Sequence, residues 1–380
     1  MTQYLLRRIL LSIPVLFGIL TVTFFMTRML GDPCKAILGE KATQEVCDRF
    51  IKDQGLDQPI AVQFGIYIKQ IASGNFGDSI RLSRPVTTLL LERLPTTIEL
   101  AMSALILAVI IGVPLGIAAA LWHNSPIDIL TTIGANIGVS MPVFWLGLLL
   151  AFMFAIVLKD TPFQLPPAAR ISPGLQPVPF YEKWGWHVNP KDMDCPRNDT
   201  ACVDEKSSWL REDSALFPLF QFIGYHYIFN SFITADWKVF VDAVRHMILP
   251  AFTLATIPLS VVARMTRSSL LEVLGKDYVR TARAKGAREL RVVSRHALRN
   301  ALLPVATIIG LQLGALLSGA VLTETTFNLA GVGLTLTDAI KNRDFPIIQA
   351  FTVVIALGYM VVNLLVDVSY GFLDPRIRLD

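Results

Sequence analysis

The sequence predicts an all-α polytopic membrane protein, and three observations predict it. Of its 380 residues, 53% are apolar and only 17% charged, with a mean hydropathy of +0.52; ordinary soluble domains run at about 45–50% and about 25%. The apolar residues gather into six long blocks, and about 18 such residues suffice to cross a bilayer. The connections between the blocks also differ in charge. This composition excludes a disordered chain, which needs low hydrophobicity and high charge. It also argues against the two soluble domains that the length would otherwise suggest.

Residues 1–29 hold the N-terminus and the first span, 9–27. Arg7 and Arg8 precede it, as in a signal peptide, but no alanine occurs before Ala36. Without an A-x-A-like cleavage site the block reads as an uncleaved span. Residues 30–97 form a long connection. Residues 98–158 hold the second span, 98–121, and the third, 129–158. A second long connection, 159–246, leads to the fourth span at 247–263. Residues 264–300 connect it to the fifth and sixth spans, 301–323 and 347–370, within 301–370. Residues 371–380 form a tail. Pro14, Pro114, Pro142 and Pro258 fall inside these blocks; membrane helices tolerate such prolines when neighbours satisfy the freed carbonyls.

Charge sets the orientation. Residues 264–300 carry ten Lys/Arg and three Asp/Glu, whereas 30–97 carry eight against eight and 159–246 nine against eleven. Basic connections stay in the cytoplasm, so the N-terminus, residues 264–300 and the tail are expected there, with both long loops outside. Residues 216–233 are apolar and aromatic enough to mimic a seventh span, but a seventh crossing would put the basic connection or the N-terminus on the wrong side. They are expected to lie against the outer interface, where aromatic residues are favoured. All four cysteines then fall outside. An oxidising compartment suggests disulfides Cys34–Cys47 and Cys195–Cys202; the alternative is four free thiols.

The basic connection carries the function. Leu270, Leu271, Leu274, Tyr278 and Ala282 recur at helical spacing, Gly286 interrupts, and Leu290, Val293, Ala297 and Leu298 resume. The pattern predicts a helix–turn–helix element projecting from the membrane. It is either a positive-inside loop touching anionic lipid or a knob that docks into a cytosolic partner. A sustained apolar stripe favours docking. A nucleic-acid role would need a basic soluble surface, and this stretch lies between two spans.

Arg280-Thr281-Ala282-x-x-x-Gly286, followed by Asn300-Ala301-Leu302-Leu303-Pro304, resembles the EAA signature of ABC importer permeases, above all those for dipeptides, oligopeptides and nickel. The resemblance runs along most of the chain. It takes in residues 4–33, Gly55-Leu56-Asp57-Gln58-Pro59, Gly74-Asn75-Phe76-Gly77-Asp78-Ser79, Leu94-Pro95-Thr96-Thr97-Ile98-Glu99-Leu100, Ser140-Met141-Pro142-Val143-Phe144-Trp145-Leu146-Gly147, Asn363-Leu364-Leu365-Val366-Asp367 and Leu373-Asp374-Pro375-Arg376-Ile377-Arg378. Arg280-Thr281 stands where the general signature has Glu-Ala, and residues 170–222 read as an insertion outside the family pattern.

The resemblance implies a type I ABC importer permease fold with six transmembrane helices and two long extracytoplasmic loops. It implies a complex with a second homologous permease, two ATP-binding subunits, an extracytoplasmic substrate-binding protein and membrane lipid. No G-x-x-x-x-G-K-[ST] occurs in the chain, so ATP and Mg are expected on the partner subunits. Short peptides are the expected cargo. Arg280, Ala282, Ala284, Lys285, Gly286 and Ala287 are the expected contact region for the ATPases.

Polar residues inside spans are costly unless they face a partner or a cavity. Asn136, Gln312 and Asn363 are therefore candidates for the translocation pathway, although interhelical hydrogen bonding competes as an explanation. Glu99 and Asp367, near span ends, read as snorkelling or ion-paired. The rival is an ion-coupled secondary transporter working without ATPases; it would need membrane-embedded acids, and none falls in the middle of a block.

Overall fold

A computed structural model describes residues 2–29, 43–53, 57–187, 210 and 214–373, and every regular element among them is helical. Among the described residues five helices are long and apolar enough to cross a membrane, six if one bent pair counts as a single span. The chain runs through α1 (Thr2–Met29), α2 (Gln44–Asp53), α3 (Ile60–Ala72), α4 (Val86–Leu121), α5 (Pro126–Ser140) and α6 (Val143–Phe152). It continues through α7 (Phe217–Gly224), α8 (Tyr227–Ile233), α9 (Trp237–Leu274) and α10 (Asp277–Ala284). Last come α11 (Leu298–Thr326), α12 (Val332–Lys341) and α13 (Phe345–Leu373).

α9 is the central pillar. It packs along α4 and α11, and the shared core is built from small and medium side chains, among them Ala101, Ala104, Ala108, Ala255 and Ala320. Such residues let helix backbones approach where lipid supplies no hydrophobic drive. The contact is closest at Gly116, where an added Cβ would stand 2.5 Å from the Ala263 carbonyl oxygen and 2.6 Å from Thr266 Cβ. α1 stands apart from this core. It packs on α13 and α3, with Phe24, Phe64 and Tyr67 in contact.

The third span departs from the sequence expectation. Residues 129–158 are not one helix: α5 and α6, the latter extended by a π-helical turn over Met153–Val157, meet at 104°. Pro142 is the cause. A residue before proline is disfavoured in the helical region, and Met141 is extended at φ −79°, ψ 129°. Pro142 itself lies at φ −59°, ψ 126°, and α6 starts after it. Pro14, Pro114 and Pro258 are accommodated inside their helices.

The end of the bundle away from α10 is tied down by buried polar groups. Glu324, fully buried at the end of α11, accepts hydrogen bonds from Thr97 Oγ1 (2.6 Å), Gly333 N–H (2.7 Å) and Leu334 N–H (3.1 Å). Val332 N–H donates to Thr97 Oγ1 at 2.9 Å. The first N–H groups of α12, which have no partner inside their own helix, are thus met by side chains from α4 and α11. Glu99 is buried in an ion pair with Arg170 (2.6 Å) and accepts from Ile228 N–H at 2.9 Å. The Arg170 guanidinium also lies 3.6 Å from the centre of the Tyr227 ring.

Residues 216–233 form α7 and α8, of eight and seven residues, each too short to cross a membrane. The described part of 170–222 is an aromatic cluster around Phe180, Tyr181 and Leu210, packed by Trp186, Phe217 and Phe220. Asn230 ties this cluster to α8: its side chain accepts from Phe180 N–H at 2.8 Å and donates to the Val178 carbonyl at 2.9 Å. Cys47 is buried and disulfide-bonded. Cys34, Cys195 and Cys202 lie outside the described residues.

Candidate functional site

The basic connection folds into a short, capped helix on a small apolar base. α9 stops at Leu274; Gly275 and Lys276 turn the chain, and α10 follows for eight residues. α10 ends in a Schellman motif. Gly286 N–H bonds to the Arg283 carbonyl (2.9 Å) and Ala287 N–H to the Ala282 carbonyl (3.3 Å), and Gly286 takes the left-handed φ of +76° that the motif requires. Nothing lies within 4 Å of a Cβ placed on Gly286. Its glycine therefore serves backbone conformation here, not close approach within the chain. Arg283 reaches across the turn to Glu289 at 2.6 Å, and this bond holds its guanidinium above the usual arginine range.

The expected stripe is re-phased by the turn at Gly275. Leu270, Val279, Val292, Ala297 and Ala301 form the buried base with Ala120, and Leu271, Leu274, Ala282 and Ala287 pack against it. Tyr278 lies on the exposed side, its hydroxyl accepting from Asn300 Nδ2 at 2.8 Å. Leu290, expected inside, is 81% exposed. The irregular stretch from Glu289–Arg291 through the π-helical turn Val292–Ala297 directs Val292 and Val293 inward instead. The six expected contact residues thus divide. Arg280, Ala284, Lys285 and Gly286 are exposed, whereas Ala282 and Ala287 belong to the packing that seats the knob.

The three candidate pathway residues are not brought to one place. Asn136, on α5, is exposed and lines a cleft of about 640 Å³ at the α5–α6 break, together with Ser140, Met141, Pro142, Phe144 and Trp145. Asn363, on α13, lines a different cleft of about 700 Å³ between α1 and α13, and its Oδ1 is buried without a hydrogen-bond partner. Gln312 is half-buried on α11. Of these helices only α11 and α13 pack extensively together. Asp367 pairs with Arg8 at 3.0 Å, joining α13 to α1.

Three buried carboxylates are not marked by the sequence, Glu324, Asp128 and Asp344, and the first two sit one residue beyond a block edge. Glu324 follows the block 301–323, and Asp128 precedes 129–158. Asp128 is buried at the start of α5. Its Oδ1 accepts Arg267 Nε at 2.5 Å, and its Oδ2 accepts Arg267 Nη2 at 2.8 Å and Asn124 N–H at 3.0 Å. His123 Nδ1 stands 3.1 Å from the same Oδ2. A bidentate arginine of this kind fixes geometry as well as charge. The available signal was the Ser125-Pro126 helix start, which would have moved the edge to include Asp128. Among the described residues no three His, Cys, Asp or Glu side chains are grouped to hold a metal ion.

Comparison with known proteins covers nearly the whole chain. The family model described as a binding-protein-dependent transport system inner membrane component matches residues 112–379, and the model for the N-terminal part of such components matches residues 1–101. The dipeptide transport system permease protein DppB of Alkalihalophilus pseudofirmus is 38% identical over 379 residues, covering 100% of both chains. DppB of Escherichia coli K12 is 39% identical over 381 residues, covering 100% of this chain and 99% of that protein. The oligopeptide transport system permease protein AppB of Bacillus subtilis is 35% identical, again over 100% of both.

Proposed function

We propose that this chain, which belongs to the family of binding-protein-dependent transport system inner membrane components, carries short peptides as the permease of an ATP-binding cassette importer. Membership makes it a multi-pass inner-membrane transport component working with other parts of such a system, and it speaks against a self-contained ion-coupled carrier. Similarity over the full length to dipeptide and oligopeptide permeases is the observation that carries the cargo assignment.

The complete machine would comprise this chain, a second homologous permease, two ATP-binding subunits holding ATP and Mg, and an extracytoplasmic substrate-binding protein. The knob then faces the cytoplasm with both termini, and its exposed Arg280, Ala284, Lys285 and Gly286, joined by Leu290, dock into the ATPases. ATP binds the closed ATPase pair more tightly than the open one, and this differential affinity supplies the bias. Closure carries α10 with its cleft, and a rigid-body movement of the helices joined to it switches the pathway from inward- to outward-facing.

Gly286→Asp tests this docking cleanly. Asp enters the left-handed region more readily than most residues, and its Cβ meets nothing in this chain, so the variant is expected to insert and fold. Peptide uptake by the complex is expected to fall while ATP hydrolysis continues uncoupled. Wild-type uptake would refute the docking surface. Co-purification from native membranes tests the assembly: two ATP-binding subunits and a second permease are expected, and recovery of the chain alone would overturn it.

A further inference from the structure

The structure assigns a positioning role in coupling to the pair of buried Asp128 and half-buried Arg267: it links the helix that carries the knob to the helix that ends at the broken span. The inference rests on the coupled-importer reading above and extends it to a named mechanical connection.

The argument starts from what each helix is attached to. α9 leads through only Gly275 and Lys276 into α10, so displacement of the knob acts first on the end of α9. Arg267 lies on that last stretch of α9. α5 runs antiparallel beside it and touches it at both ends. At one end Arg267 grips Asp128 through two nitrogens, at 2.5 and 2.8 Å. At the other, Gly138 faces Ser260, whose Oγ would stand 3.0 Å from an added Cβ. Beyond Gly138, α5 ends at Ser140, and the Met141–Pro142 break opens the cleft lined by Asn136, Ser140 and Trp145.

The two α5–α9 contacts differ in kind. Around Gly138 the helices meet through close packing, which permits sliding. The Asp128 carboxylate instead receives directional bonds from α9 and from the α4–α5 turn, through Asn124 N–H at 3.0 Å. The Arg267 guanidinium also lies 3.2 Å from His123 Nδ1 in that turn. One carboxylate therefore joins the turn, α5 and α9. A tilt of α9 must pull the start of α5 with it, and the rigid α5 delivers that pull to the break. The Arg8–Asp367 pair is a useful contrast: it joins α1 to α13, and neither helix leads into the knob or the break.

A reporter at the break decides the matter without reference to cargo. Ser140→Cys is introduced into the tagged full chain, and the complex is purified from native membranes. Labelling of the new thiol is followed with and without ATP and vanadate, with the chain lacking the new cysteine as blank. Nucleotide is expected to change the labelling rate. Adding Asp128→Asn is expected to reduce that change by about tenfold, within the range found for coupling between distant sites, while the complex still assembles and hydrolyses ATP. Asp128→Glu, which keeps the carboxylate, is expected to restore much of the response, and Arg8→Gln to leave it intact. A full nucleotide response in Asp128→Asn would overturn the link alone. So would loss of assembly and ATP hydrolysis in Asp128→Asn and Asp128→Glu together, because the pair would then be structural only. Absence of any response in the Ser140→Cys complex would overturn the coupled-importer reading and the link with it, whereas a normal response without peptide uptake would overturn only the cargo.

Discussion

The two ends of the helical bundle are built on opposite plans. At the end away from the knob, buried polar groups find their partners inside the chain: Glu324 with Thr97 and the start of α12, Glu99 with Arg170 and α8, and Ser79 with Asp344 at 2.6 Å. At the knob end a small apolar base holds up a surface whose arginines, Lys285 and Leu290 stay exposed. One end holds its carboxylates within the chain, although Thr96 Oγ1, Arg170 Nε, Thr323 Oγ1 and Asp344 Oδ1 are buried there without a hydrogen-bond partner; the other leaves apolar and basic surface exposed. If the knob docks as proposed, the difference separates residues that make the fold from residues that make the contact, and it says where substitution should unfold the protein and where it should only disconnect it.

The sharpest way to break this contrast is at Glu324. Glu324→Ala leaves a hydroxyl and two N–H donors buried without their acceptor, and each unmet group costs about 1–3 kcal/mol. We expect strong loss of stability, read as a fall in the thermal unfolding midpoint of the purified protein in detergent. A wild-type midpoint would show that this end is not held as described.

Next in size is the α4–α9 contact. Gly116→Val forces side-chain atoms against the Ala263 carbonyl and Thr266, and overpacking of this kind costs typically about 1–3 kcal/mol. Its midpoint is expected to fall less than that of Glu324→Ala, and the break reporter at Ser140 should report altered accessibility even without nucleotide. The smallest effect is expected at the knob. Arg283→Ala removes an ion pair whose partners are both exposed, and such pairs contribute about 0.2–1 kcal/mol. The midpoint should hardly move while ATP-coupled uptake falls. An equal loss of stability at Arg283 and Glu324 would erase the distinction between the two ends.

How much of this was legible beforehand follows the same division. The knob was readable because its signals are local: a run of arginines, a helical period and a glycine where a helix must stop. Its inward face was not readable, because the turn at Gly275 re-phases α10 and puts Val279, not Tyr278, on the base. By hydropathy the third span is continuous, because hydropathy sums over residues without regard to direction, and nothing local distinguishes Pro142 from the other three span prolines. Asn136, Gln312 and Asn363 were recognisable as polar residues in apolar surroundings, yet their sequence says nothing about which of them share a cleft. The pairs Asp128–Arg267 and Glu99–Arg170 join residues far apart in the chain, so no window of sequence contains both members.

By itself the sequence determined the class of the molecule, the places of its five long apolar helices and that of its knob. Each rests on apolar length, charge asymmetry or local motif, which act over one or two helical turns or one membrane thickness. The tertiary structure alone decided which prolines bend and which are absorbed, which carboxylates are buried, and which helices are tied together. Those outcomes depend on what lies across the interface: a Gly116 that admits a neighbouring backbone, an Arg267 within reach of Asp128, and a helix start that Glu324 can meet. Free energies of this kind are set by distances between remote residues, and only the folded chain fixes them.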